Sequence, residues 1–222
     1  MTSNDILPQR LTQVDELIRP DHSYLTPDDT CYFLGEYTAR KGFSFSATNN
    51  LIINLKKSVS CRGQYQWRYK STAIKQAAIA FHSAVNEEAL NDATLVPIPP
   101  SKVKTDPLYD DRMTQVIREI RPSPPLDVRE LIIQRNTTEP AHSLVDGNRP
   151  RPEDILALYD IDQNLVKPHP RLIALFDDVL TTGAHFKAAK SVLIRAFPGI
   201  DIVGLFIARR VPEAVDIEDV FA

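Results

Sequence analysis

The eleven residues from Ala174 to Ala184 read ALFDDVLTTGA, an apolar run that ends in two adjacent carboxylates and continues into two hydroxyls and a glycine. When ionised, Asp177 and Asp178 only accept hydrogen bonds, so they suit a vicinal sugar diol or, through water or that sugar, a divalent cation. They would repel an anion set directly on them. An anion belongs one step further along, where Thr181, Thr182, Gly183, Ala184 and His185 combine hydroxyls, a row of backbone N–H groups and a glycine that permits close approach. A diol held on one side and a phosphate on the other describe a phosphorylated sugar.

Such a site needs a strand before it and a helix after it. The run from Arg171 to Phe176 has the length and apolar character of a buried parallel strand, and Ala184 to Phe197 has helical spacing. In open α/β sheets, ligands collect where the carboxyl ends of strands meet the amino ends of helices. A plainer reading makes the same string a strand followed by a capped helix, with Thr181 or Thr182 as the N-cap and the acids near the positive helix end.

Two other loops could meet an anion. Val96 to Lys104 (VPIPPSKVK) leaves its strand abruptly at the prolines and presents Ser101, Lys102 and Lys104. Arg135 to Pro152 is longer than most connections and carries Arg135, His142, Arg149 and Arg151, able to meet a pyrophosphate. As plain surface loops, both would carry solvated side chains instead. Tyr32, Phe33, Tyr37, Trp67 and Tyr69 could offer a face for a nucleobase, or could simply pack. Asp110, Asp111 and Arg112 read most simply as a charged helix start.

Composition sets limits on these readings. A chain of 222 residues with 43% apolar content suffices for one sizeable core. The net charge of −3 gives no global basic field, which disfavours nucleic acid as the main partner. Cys31 and Cys61 lack the paired spacing of a zinc ribbon and are expected to be reduced. His22, His82 and His169 have no acid or cysteine at ligand spacing. No signal peptide or membrane-spanning run is visible, so the expected location is the cytoplasm with no membrane partner.

Along the chain, residues 8–19 place Leu11, Val14, Leu17 and Ile18 at helical spacing and predict a short helix. Thr30–Arg40 and Asn50–Leu55 read as neighbouring extended stretches of a small antiparallel subdomain. Residues 70–90 predict an amphipathic helix. From Thr94 the order becomes strand, helix (about 111–120), strand (ELIIQR), long loop, strand, helix (184–197) and strand (IDIVGLFIA), an α/β pattern with a parallel sheet.

FDDVLTTGAH resembles the phosphoribosyl pyrophosphate (PRPP) motif of type I phosphoribosyltransferases, and the chain is most similar within that superfamily to ComF-like proteins. The likeness spans residues 30 to 210 and is strongest at 94–102 and 171–185. It implies the type I phosphoribosyltransferase fold, a central parallel sheet flanked by helices, with residues 1–65 as an N-terminal helix and hood and 66–222 as the core. It also implies Mg²⁺ as cofactor and transfer of a 5-phosphoribosyl group from PRPP to a small-molecule acceptor, with release of pyrophosphate. On this pattern Asp177 and Asp178 are the catalytic acids on the ribose side, touching metal only through ribose or water. Residues Thr181 to His185 hold the 5′-phosphate, and Ser101, Lys102 and Lys104 hold pyrophosphate in a loop that often contains a cis peptide. Arg135, His142, Arg149 and Arg151 ride on a flexible loop that closes over PRPP. The chain departs from the family at His185, where Thr or Ser is usual, in lacking the loop's Arg–x–x–Asn, and in lacking an amino-terminal zinc segment. A regulatory module sensing PRPP or a nucleotide without turnover, or a ComF-like accessory role in DNA handling, are the alternative functions. A homodimer is the default assembly.

Overall fold

Near-continuous apolar runs on the strands from Ala93 onward demand cover on both faces of a sheet, and the fold supplies it. The computed structural model describes residues 7–138 and 150–212. Strands β1 (Thr12–Gln13) and β2 (Thr30–Thr38) come first, then helices α1 (Ala47–Leu55), α2 (Trp67–Ala84) and α3 (Glu87–Asp92) and strand β3 (Ala93–Pro97). Helix α4 (Arg112–Ile120), strand β4 (Ile132–Gln134), helix α5 (Pro152–Leu156) and strand β5 (Tyr159–Ile161) follow, and the chain closes with β6 (Leu172–Leu180), α6 (Ala184–Ala196) and β7 (Asp201–Val211). The architecture is α/β, with a five-stranded sheet in the order β1-β2-β7-β6-β3. Within this sheet only the β1 to β2 pairing is antiparallel.

Alternation along β6 divides the core. Ile173 and Leu175 pack with α6, β4 and β5 on one face, and Ala174 and Phe176 pack with α1, α2 and α4 on the other. Each fully buried Leu, Ile or Phe contributes roughly 1.5–3 kcal/mol, so both faces are firmly closed. Among the described residues, no helix is long and apolar enough to cross a membrane. Cys31 and Cys61 are free, and burial pushes the Cys31 thiol up to about 12.

Four elements differ from the sequence reading. The single helix expected over 70–90 is split at Val85–Asn86 into α2 and α3, where Val85 is extended and the Asn86 side chain caps the second helix by accepting from Glu88 N–H. The expected helix at 8–19 is absent: Thr12–Gln13 pairs with β2, and a 3₁₀ turn spans Arg19–Asp21. Asp15 Oδ1 accepts from the N–H groups of Leu17 and Ile18, a local side-chain bond that competes with helix, and Leu17 is left exposed. Asn50–Leu55 is not extended but lies inside α1, which starts where Ser46 Oγ accepts from Asn49 N–H at 3.0 Å. Short apolar runs fit either period, and the cap decides. The two stretches therefore form no antiparallel pair, and β2 instead runs parallel to β7 in the central sheet. ELIIQR, expected as a core parallel strand, leaves the sheet after a single bridge between Leu95 and Val128, and β4 pairs antiparallel with β5. Arg129 accounts for the departure, because its guanidinium is fastened to Asp127 and to the carbonyls of Leu165 and Pro168, off the sheet edge.

Candidate functional site at the carboxyl end of β6

Strand β6 runs between β3 and β7 and carries Asp177 and Asp178 at its carboxyl end. Neighbouring strand residues face opposite sides of a sheet, and the two acids meet different surroundings. Asp178 is buried and turns towards α1 and α4. Its Oδ2 accepts from Arg112 Nε at 3.0 Å and Nη2 at 2.6 Å, and its Oδ1 lies 2.9 Å from Lys56 Nζ. The two cations outweigh the cost of burial and hold this carboxyl well below the usual carboxylate range.

The network continues behind Arg112. Its Nη1 donates to Asp110 Oδ2 at 2.7 Å, and the same oxygen receives Lys70 Nζ at 2.7 Å. Lys70 is fully buried, and its ammonium also donates to the carbonyls of Leu55 at 2.6 Å and Lys57 at 2.9 Å, on either side of Lys56. Burial lowers the Lys70 pKa, opposed by Asp110. The backbone at the end of α1 is thereby pinned to the start of α4.

Among the described residues, Asp177 has no cation in contact. Its Oδ1 accepts from the Asp178 N–H at 2.8 Å, and burial, then the charge of Asp178, push it up to about 7. Its field also raises the Tyr159 hydroxyl, already raised by burial. Tyr159 Oη lies 3.0 Å from His185 Nδ1, so the imidazole at the start of α6 is held by a phenol, and burial lowers the His185 pKa.

The turn after β6 is shaped from outside. Gly183 is the N-cap of α6 with φ of 85°, and the helix has no side-chain cap bond, so neither Thr181 nor Thr182 is the N-cap. Thr182 Oγ1 receives only the Ala184 N–H at 3.4 Å. A Cβ on Gly183 would stand 2.8 Å from Leu25 Cδ2, so the position demands glycine on two grounds. His22 Nδ1 bonds the Thr181 carbonyl, and Tyr24 N–H donates to the Thr182 carbonyl at 2.9 Å. With both carbonyls tied back to residues 22–24, the N–H groups of Thr181, Thr182 and Gly183 donate to no backbone carbonyl among the described residues. They sit at the positive end of a 13-residue helix.

The flanking loops are placed as follows. The carbonyl of Ser101 receives Thr138 N–H at 2.8 Å, tying 101–103 to 137–138, and Lys102 is partly buried there. No cis peptide occurs in this loop; the cis bonds among the described residues are Ser123–Pro124 and Lys167–Pro168. Lys104 pairs with Glu130 Oε2 at 2.5 Å, and Thr114 Oγ1 donates to Glu130 Oε1. Arg135 forms an exposed pair with Asp160 at 3.0 Å, and Arg151 starts α5. His142 and Arg149 lie outside the described residues. Of the aromatic candidates, Phe33 is buried and Tyr32 and Tyr37 pack on the core, whereas Arg62 lies over Trp67 and Arg68 over Tyr69.

The sequence reading missed Lys56, Lys70, Asp110 and Arg112 as members of the site. For Asp110 and Arg112 the Asp-Asp-Arg string at the start of α4 is the available signal, and a charged helix start explains it equally well; Lys56 and Lys70 carry no such signal. Among the described residues, no group of three or more His, Cys, Asp or Glu could hold a metal ion. An open groove of about 530 Å³ runs past Phe43, Ser46 and Ile79, at the amino end of α1 away from Lys56, and is lined by no charged side chain. No protein-family model matches the sequence, and no curated protein matches it either.

Proposed function

We propose that the chain binds PRPP with Mg²⁺ on a type I phosphoribosyltransferase fold and transfers its 5-phosphoribosyl group to a small-molecule nucleophile. The observation that carries this reading is the junction of β6 and α6: a half-buried and a buried acid side by side on the strand, then a turn whose Thr181 and Thr182 carbonyls are tied back and whose N–H groups donate to no backbone carbonyl among the described residues, at a helix amino end. The 5′-phosphate sits on Thr181 to His185. The ribose hydroxyls donate to the acids, with Asp177 Oδ2 the oxygen that has no partner among the described residues. Asp177 therefore fits a magnesium ion approached through water, whereas the oxygens of Asp178 already face Lys56 and Arg112. When bound, Mg²⁺ neutralises charge on the leaving pyrophosphate.

In the transfer, the bond from C1 to pyrophosphate oxygen breaks with its electron pair leaving on pyrophosphate. A lone pair of the acceptor forms the new bond to C1, and the acceptor's proton passes to water. The positive charge that develops at C1 and the ring oxygen is favoured by the nearby carboxylates, as in glycoside cleavage. Holding the substrate at both ends supplies the orientation.

Incubation with PRPP, Mg²⁺ and a panel of amines and nucleobases tests this reading. Pyrophosphate release that disappears in Asp178→Asn supports it, and absence of both binding and release contradicts it. One observation favours a second reading, a PRPP sensor without turnover. Both oxygens of Asp178 are engaged by cations and Lys104 is neutralised by Glu130, a resting arrangement suited to holding a ligand. Saturable binding with no release under any acceptor would select it.

A further inference from the structure

The direct contacts around Asp178 join three cations to two acids. Lys56, Lys70 and Arg112 face Asp178 and Asp110, and among the described residues the remaining acid, Asp177, has no cation in contact. Partly buried charge is costly without a counter-ion, so with three cations sharing two carboxylates the least committed of them is the one able to meet an added anion. The wider field has the same sign. The fifty residues from Tyr37 to Asn86 hold eight Lys or Arg and no Asp or Glu, within a chain of net charge −3.

The three cations are not equally free to move. Lys70 is fully buried and spends its ammonium on two carbonyls and Asp110. Arg112 is held by both aspartates, with its side chain 21% exposed. Lys56 is 34% exposed and touches Asp178 through one oxygen, on a backbone that Lys70 fixes from either side. A flexible stem on a fixed base can swing its ammonium a few ångströms without moving the fold.

We infer that Lys56 is a pyrophosphate-contacting residue, leaving Asp178 when the ribose hydroxyls arrive and transferring its ammonium to the diphosphate of the substrate. Arg112 stays on Asp178 and keeps the acid charged and oriented. The exchange leaves Asp178 paired with Arg112 and Lys56 paired with the diphosphate, and it couples recognition of the sugar to recognition of the leaving group. This inference rests on the phosphoribosyl reading and adds a substrate contact to it, from a helix terminus separate from the loops carrying Ser101, Lys104 and Arg135.

Calorimetric titration of the full chain with PRPP, inorganic pyrophosphate and ribose 5-phosphate, each with Mg²⁺, tests it in wild type, Lys56→Met and Lys56→Arg. In Lys56→Met, affinity for PRPP and pyrophosphate falls by about 10–100-fold while ribose 5-phosphate changes by less than about 2-fold. Lys56→Arg retains most of the PRPP affinity and reports on a merely structural loss. Equal weakening of all three ligands by Lys56→Met, or of none, overturns the inference while leaving the phosphoribosyl reading intact. Failure of the wild type to bind either PRPP or ribose 5-phosphate overturns both.

Discussion

Two buried aspartates, each held by two cations, sit on opposite faces of this fold and do different work. Asp29, just before β2, accepts from Lys187 and Lys190 of α6 at 2.7 Å each, and Thr26 N–H donates to it at 2.8 Å. Its side chain is fully buried, both lysines belong to one helix, and the acid directly before it, Asp28, is exposed to solvent. Asp178 takes its cations from the end of α1 and the start of α4, far apart in sequence, and the acid directly before it, Asp177, is itself half-buried. The first arrangement satisfies itself and fastens residues 22–29 over α6. The second sets two acids together at a strand end, leaving one of them without a cation. Like charges placed side by side oppose folding, and such conflicts concentrate at sites where ligands act.

Substitutions at the two aspartates break the comparison most sharply. Asp178→Asn lowers affinity for ribose 5-phosphate by at least about 100-fold, read by calorimetry, because the replacement amide cannot keep Arg112 and Lys56 in place and accept the diol. Asp29→Asn leaves that affinity unchanged and costs roughly 2–3 kcal/mol of stability in urea unfolding, since it leaves two partly buried lysines without their counter-ion. If both variants lost ligand equally, the distinction between fastening and site would fail.

Gly183→Ala separates the shape of the turn from its charge. A positive φ and the contact with Leu25 together cost about 1–2 kcal/mol, and phosphate affinity falls with the displaced turn. The acids also differ in pH dependence. Asp29 is held down to about 2, below its ordinary value of 3.8, so its contribution to stability is complete above the ordinary value and is lost as pH falls through 2. Asp177 is pushed up to about 7, so its contribution is complete below 3.8 and is lost as pH rises through 7. Asp177→Asn therefore flattens the stability profile between pH 4 and pH 8, and Asp29→Asn flattens its acid limb; midpoint denaturant concentrations at each pH report both. The smallest effect belongs to Tyr159→Phe, which removes one hydrogen bond to His185 at a cost of about 1 kcal/mol.

The strand, turn and helix from Leu172 to Ala196 could be read from sequence because every signal lies in one contiguous string: an apolar run, two acids, a glycine and a helical period. The cations on Asp178 could not. Arg112 is 66 residues from it and opens a helix whose charges read as solvated, and Lys56 follows an apolar run that fits strand as well as helix. The expected helix at 8–19 failed through a local competitor, Asp15, whose side chain closes a turn just where the period asked for another helical residue. Likewise, the α6 N-cap proved to be Gly183 in place of either threonine, a choice set by Leu25 and by the ties to residues 22–24, which lie more than 150 residues away. Local patterns thus located the candidate site, while the groups that set its charge come from distant elements that only the fold brings together.

The central claim is that the acids on β6 and the turn before α6 hold the two sides of one pentose monophosphate. Amide ¹H–¹⁵N shifts followed during titration with ribose 5-phosphate and Mg²⁺ test it directly. The account predicts saturable shifts at Thr182, Gly183, Ala184 and His185 that vanish in Asp178→Asn, with the amides of Asp29 and its neighbours unmoved. Unchanged turn amides in the wild type at saturating sugar phosphate would contradict it.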